Sequence, residues 1–124
     1  MKDNRPVNID LTTFKWPLPA LTSILHRISG VVIFAGVALL LYLLQLSLES
    51  AAGFAEVAAL LDNILIKFLS WSVLAALLFH LIAGIKHLLM DMGIGESLAG
   101  GVLAAKLPLL FAFIAMIAAG FWLW

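Results

Sequence analysis

The sequence contains no cysteine, and that single absence removes disulfides, zinc–thiolate sites, iron–sulfur clusters and thiol nucleophiles together. Charge is nearly as scarce. Asp, Glu, Lys and Arg make up 11% of the 124 residues, against roughly 25% in a soluble domain. Hydrophobic residues reach 65%, where about 45–50% is usual. Too few polar residues remain to cover a water-facing surface, so a soluble globular domain is excluded, and disorder more firmly. Seven basic and seven acidic residues cancel, so the sum of charge names no partner, and no nucleic-acid partner is expected. What remains is an all-α membrane protein, long enough for about three crossings of roughly 20 residues each.

The few charges divide the chain. Ile28–Leu48, Phe68–Ile85 and Leu107–Trp124 are free of Asp, Glu, Lys and Arg, and His80 alone interrupts the second. Each run is 18 residues or longer. At ~1.5 Å per residue that is enough for the hydrocarbon core of a bilayer. Three transmembrane helices are predicted, at about 21–47, 63–91 and 101–124. The first run is too long, and starts too far from Met1, to be a cleaved signal core. Lys2, Arg5, Lys15 and Arg27 precede or open the first helix, and Lys86 and Lys106 bracket the second connection. The first connection holds Glu49, Glu56 and Asp62, with Lys67 just beyond it. The bias of basic residues predicts a cytoplasmic N-terminus and an external C-terminus. Trp16, Trp71, Trp122 and Trp124 suit interfacial belts.

Residues 1–20 differ in kind. Pro6, Pro17 and Pro19 interrupt them, no helical period runs through them, and an acid-poor transit peptide is not what they resemble. Pro17 and Pro19 favour extended residues before them and then the first turn of a helix. The segment is read either as a loose tail or as a cytoplasmic strip that docks another subunit.

Polar residues within the runs need a reason to be there, since a mid-bilayer charge costs roughly 2.5–3.5 kcal/mol on insertion scales. His80 is the deepest, seven residues and so roughly 10 Å inward from His87. A lone histidine in such a helix is most often a packing residue bonded to a neighbour. Here, however, His80, Gly84, His87 and Asp91 fall at i, i+4, i+7 and i+11, along one stripe. Glycine one turn from an imidazole leaves room for a flat macrocycle, and haem iron takes axial imidazole. Haem propionates would meet Lys86, His87, His26 and Arg27 toward the cytoplasmic interface. Ser23 and Arg27 form a second pair one turn apart. Either Ser23 caps the helix while Arg27 snorkels to phosphates, or the two bind a carbonyl ligand such as a quinone. In the second case His87 and Asp91 would relay its protons. Ala115 and Ala119, one turn apart, mark a packing face on the last helix.

The run RPVNIDL, the segment SILHRISG and the segment HLIAGIKHLLMDMG together resemble the cytochrome b subunit of succinate dehydrogenase, respiratory complex II. The family pattern pairs S-x-x-H-R-x-[ST]-G opening the first helix with H-x-x-x-G-x-[RK]-H-x-x-x-D on the second, and the likeness covers most of the chain. Lys86 stands where arginine is commoner, which keeps the charge but loses the fork geometry.

The resemblance implies a membrane anchor packed with a sister anchor subunit, which supplies the second axial histidine of a shared haem b. It implies a flavoprotein and an iron–sulfur partner on the cytoplasmic face, ubiquinone as substrate, and no catalysis by this chain alone. His80 matches the axial haem ligand and the iron's one protein ligand here. Ser23 and Arg27 match the ubiquinone site, and His26, Arg27 and His87 match the propionate region, with Asp91 a proton-relay candidate. Multi-pass insertion in a bacterial inner membrane is expected. The alternatives are a fumarate reductase-type anchor, a haem-free structural adapter and a small proton-coupled transporter. The last is disfavoured by the lack of an internal repeat.

Overall fold

A computed structural model of the chain describes residues 10, 12–13, 15–95 and 98–124, with side chains given from 102 onward in the last range. Among them are four helices: α1 Leu18–Glu49, α2 Ala51–Asp62, α3 Ile64–Asp91 and α4 Leu98–Leu123. Three spans are long and apolar enough to cross a membrane, Leu18–Glu49, Ile64–Asp91 and Val102–Leu123. The expected three-helix layout is borne out in that respect.

Local chemistry explains the boundaries. Pro17 is extended (φ −64°, ψ 147°), and Pro19 sits in the first turn of α1, where a backbone N–H has no helical partner to lose. α1 therefore begins at Leu18, three residues before the expected start, and takes the end of the 1–20 segment with it. Most of the rest of that segment lies outside the described residues. Ser50 breaks the chain in extended geometry, and its hydroxyl accepts from Gly53 N–H at 3.0 Å, capping α2.

α2 corrects the expected connection, which was read only as an acidic loop. Ala51, Ala52, Ala55, Ala58 and Ala59 are strong helix formers, and one cap suffices to start them. Asn63 ends α2 and starts α3, its side chain accepting from Leu65 N–H at 2.9 Å and Ile66 N–H at 3.4 Å. At the far end of α3, Ile94 N–H bonds Leu89 C=O at 3.0 Å and Gly93 N–H bonds Met90 C=O at 2.9 Å. This is a Schellman closure, and it requires the left-handed φ of 81° at Gly93. α4 then begins at Leu98 rather than 101.

α3 packs against α1 on one side and α4 on the other. At the α1–α3 crossing a side chain on Gly36 would run into Val73, so the two backbones approach where glycine permits. Trp71 Nε1 donates to Met116 C=O at 3.1 Å and ties α3 to α4. Lys67 Nζ lies 5.8 Å from the Trp124 ring, closing the same end by a cation–π contact. Ala105 and Ala112 are buried, and Ala115 and Ala119 share their half-buried face, as the spacing predicted. The interior is thin and small-residued, while Phe34, Phe121 and Trp122 are more than three-quarters exposed. Polar atoms inside, large apolar side chains outside: that is the arrangement a lipid-facing surface requires.

Candidate functional site

α1 and α3 run side by side near the Arg27 end, and their registers bring three imidazoles together. The His26 and His80 rings stack with centroids 3.9 Å apart and planes 12° from parallel, and His87 lies 5.2 Å from His26. No residue separation in the chain announces the first contact, because His26 and His80 are on different helices.

The His80 ring is held by two oxygens of α1. Its Nδ1 lies 3.0 Å from His26 C=O and 2.9 Å from Ser29 Oγ. Ser29 Oγ in turn donates to the same His26 carbonyl at 2.7 Å. A carbonyl can only accept, and the one Ser29 hydroxyl proton is committed to it. The consistent assignment therefore puts the proton on His80 Nδ1, which donates to both oxygens. Nε2 of the neutral ring is then a bare lone pair, with no hydrogen-bond partner among the described residues. Gly30 makes this possible: a Cβ there would sit 3.1 Å from His80 Cε1, inside comfortable contact.

Ser23, His26, Arg27, His80, Gly84 and His87 line one cavity of about 600 Å³, joined by Leu81, Ile85 and Leu88. Of the predicted site residues, then, Ser23, Arg27, His26, His80 and His87 share it. Arg27 is exposed and Ser23 half-buried, so hydroxyl and guanidinium both reach the opening. Asp91 is exposed at the end of α3 and is not among the lining residues. Lys86 is not among the residues that line it: it is 8% exposed and lines a separate cavity between α3 and α4. Six residues past His80 falls about a third of a turn from that stripe, which accounts for it.

Haem is the group expected at His80, and the residues present fit it. A fixed Nδ1–H with a free Nε2 is the state an axial imidazole needs, with the carbonyl and hydroxyl orienting the ring from behind. No three His, Asp or Glu side chains converge to hold a bare ion among the described residues, so an iron at His80 would take its remaining ligands from elsewhere. The role of Gly84 differs from the expected one. His26 Nε2 lies 3.6 Å from where its Cβ would be, so the space is filled by imidazole. His26 Nε2 is sealed and unpartnered there, and the ring must turn before that nitrogen meets any ligand.

Ser29 and Gly30 had no role assigned from the sequence. Both stand inside the SILHRISG segment, and their function becomes legible only when His80 is seen against them.

Comparison with known proteins points one way. A family profile described as succinate dehydrogenase/fumarate reductase transmembrane subunit matches residues 1–119. The chain is 46% identical to the succinate dehydrogenase cytochrome b556 subunit of Coxiella burnetii over all of both chains. It is 33% identical to that of Paracoccus denitrificans over 91% of this chain and 95% of that one. It is 37% identical to the mouse mitochondrial cytochrome b560 subunit, over 77% of this chain and 57% of that one.

Proposed function

The chain belongs to the succinate dehydrogenase/fumarate reductase transmembrane-subunit family, and from that premise we propose that it anchors succinate:ubiquinone oxidoreductase in a bacterial inner membrane. In this reading the N-terminus is cytoplasmic and the C-terminus external. A flavoprotein and an iron–sulfur subunit dock on the cytoplasmic side, and a sister anchor completes both the haem b site and the quinone pocket. The carrying observation is the shared cavity: an imidazole with a free, oriented Nε2 opens onto the same space as Ser23 and Arg27.

His80 would hold the iron of haem b, with Arg27 and His87 nearest its propionates. When bound, the haem supplies a one-electron couple beside the quinone. Ser29 and the His26 carbonyl keep the His80 ring in one tautomer and one orientation. Ser23 donates a hydrogen bond to a ubiquinone carbonyl oxygen. Arg27 stabilises the negative charge that grows on that oxygen as electrons arrive from the iron–sulfur partner. Two electrons and two protons convert quinone to quinol, and His87, at the cavity wall, is the nearest proton carrier. Asp91, one turn beyond it and exposed, would take protons from water. The apolar Leu81, Ile85 and Leu88 walls of the same cavity suit an apolar-tailed substrate that arrives from the bilayer.

The test uses the intact complex. Ser23→Ala and Arg27→Lys should each lower succinate-to-ubiquinone electron transfer by about tenfold or more, the size of one charge-assisted hydrogen bond. Succinate oxidation by a water-soluble dye should stay unchanged. Equal loss in both assays would place these residues in assembly rather than at the quinone. The family description also covers fumarate reductases. The relatives named above, however, are all succinate dehydrogenase subunits.

A further inference from the structure

Two cavities meet on one side of α3. The first is the imidazole cavity, whose apolar edge is Leu81, Ile85 and Leu88. The second, of about 450 Å³, lies between α3 and α4, with Ile82, Ile85 and Leu89 on one wall and Leu103, Leu107 and Phe111 on the other. Ile85 lines both, and at 49% exposed it stands as the ridge between them. The two differ in chemistry. Ser23, Arg27 and His87 make the first a place for a polar head group. Among the described residues that line the second, all but Lys86 are apolar or glycine. Leu103, Leu107 and Phe111 fall at i, i+4 and i+8, about 12 Å of apolar wall along α4. Each is 41–57% exposed, so the groove opens on the outer surface of the chain. In the orientation proposed above, it runs from the cytoplasmic end of α4 toward the middle of the bilayer.

A ligand that fills both is polar at one end and a long apolar chain at the other. We propose that the groove between α3 and α4 carries the polyprenyl tail of the quinone, which crosses Ile85 from a head group seated at Ser23 and Arg27. The assignment rests on the quinone reading of the first cavity and adds where the rest of the substrate lies. A free acyl chain gains little by leaving lipid for such a groove, since both are apolar. A tail differs, because the seated head fixes its first carbons beside Ile85 and removes part of the cost of ordering the rest. Crossing that ridge takes a path on the order of 10 Å, the width of a helix with its side chains, so a single isoprene unit is too short. Leu103, Leu107 and Phe111 therefore act on the substrate through tail length: they guide a long-tailed quinone and do not touch a one-unit analogue.

The experiment maps the tail. The intact complex in phosphatidylcholine vesicles is irradiated with a ubiquinone analogue that carries a diazirine on its third isoprene unit, and labelled peptides are identified by mass spectrometry. Label should fall on the α3 and α4 residues that wall the groove. An excess of ubiquinone with one isoprene unit should remove it by taking the head site. Ala104→Phe and Leu107→Trp each crowd the groove, and label on α4 should drop about tenfold, within the range that overpacking costs. Dye-linked succinate oxidation and haem content in the same samples show that the variants assemble. Undiminished α4 label in both variants overturns the tail assignment. So does label confined to the Leu81 and Leu88 edge, to another subunit or to lipid, and if the short quinone still competes there the quinone site itself stands. Label on α4 that the short quinone does not displace overturns it as well, because the groove would then take any apolar chain. If Ser23→Ala and Arg27→Lys leave reduction of the one-unit quinone unchanged, the quinone reading fails, and the tail assignment with it.

Discussion

At His80 a single ring answers to two oxygens and a glycine on another helix, and the Ser29 hydroxyl and Gly30 can each be changed separately. Ser29→Ala deletes one acceptor of the Nδ1–H but leaves the His26 carbonyl. Groups that orient a metal-bound histidine typically contribute 10–100-fold to affinity, so haem retention should fall about tenfold, the low end of that range. Gly30→Ala should cost more, because its Cβ would stand 3.1 Å from His80 Cε1 and push the ring itself. Haem-to-protein ratios of the purified complex measure both; retention equal to wild type in Gly30→Ala would mean the ring does not sit where described.

A different residue-scale prediction concerns the Asp10 turn, outside the membrane spans. Thr12 hydroxyl and amide bond the Asp10 carboxylate at 2.6 and 3.0 Å, and these bonds hold its pKa below the usual carboxylate range. A lowered folded value means the turn gains from the carboxylate above the ordinary pKa and loses that gain as pH falls through the lowered one. Thr12→Ala should therefore raise the Asp10 midpoint in an NMR titration. His80 was legible in the sequence because a polar residue in an apolar run needs a reason. Ser29 and Gly30 were not, because serine and glycine are ordinary in membrane helices until a partner helix is placed against them.

At the scale of the elements, caps and close approaches set the layout. Asn63→Ala removes the side-chain acceptor for Leu65 and Ile66 N–H. The loss should be about 1 kcal/mol, read as a lowered melting temperature of the detergent-solubilised complex. An unchanged melt would mean that packing, not the cap, starts α3. Gly36→Leu should be worse, since even a Cβ at that crossing meets Val73, and overpacking costs about 1–3 kcal/mol. The long helices were readable from charge-free runs, and α1 starts three residues early, where Pro17 stands as the extended N-cap and Pro19 in the first turn. α2 escaped because its alanines carry neither a long apolar run nor a strong period, and only the Ser50 cap in three dimensions marks it as a helix. Lys86 was misplaced for a related reason: charge can be read from a sequence, but which side of a helix it serves depends on the neighbour.

As a whole, the molecule keeps its bulk on the outside. Its large side chains face outward and its described interior has no fully buried large residue. The family membership accounts for this, since the relatives are subunits of succinate dehydrogenase. The central claim is that His80 presents its free Nε2 to a haem iron. The most direct test is a reduced-minus-oxidised visible spectrum of the complex purified from its native membrane, wild type beside His80→Ala. The account predicts a six-coordinate haem b signal in the wild type that the substitution abolishes or converts to a lower coordination. An unaltered haem signal in His80→Ala, or a native complex without haem, would contradict it.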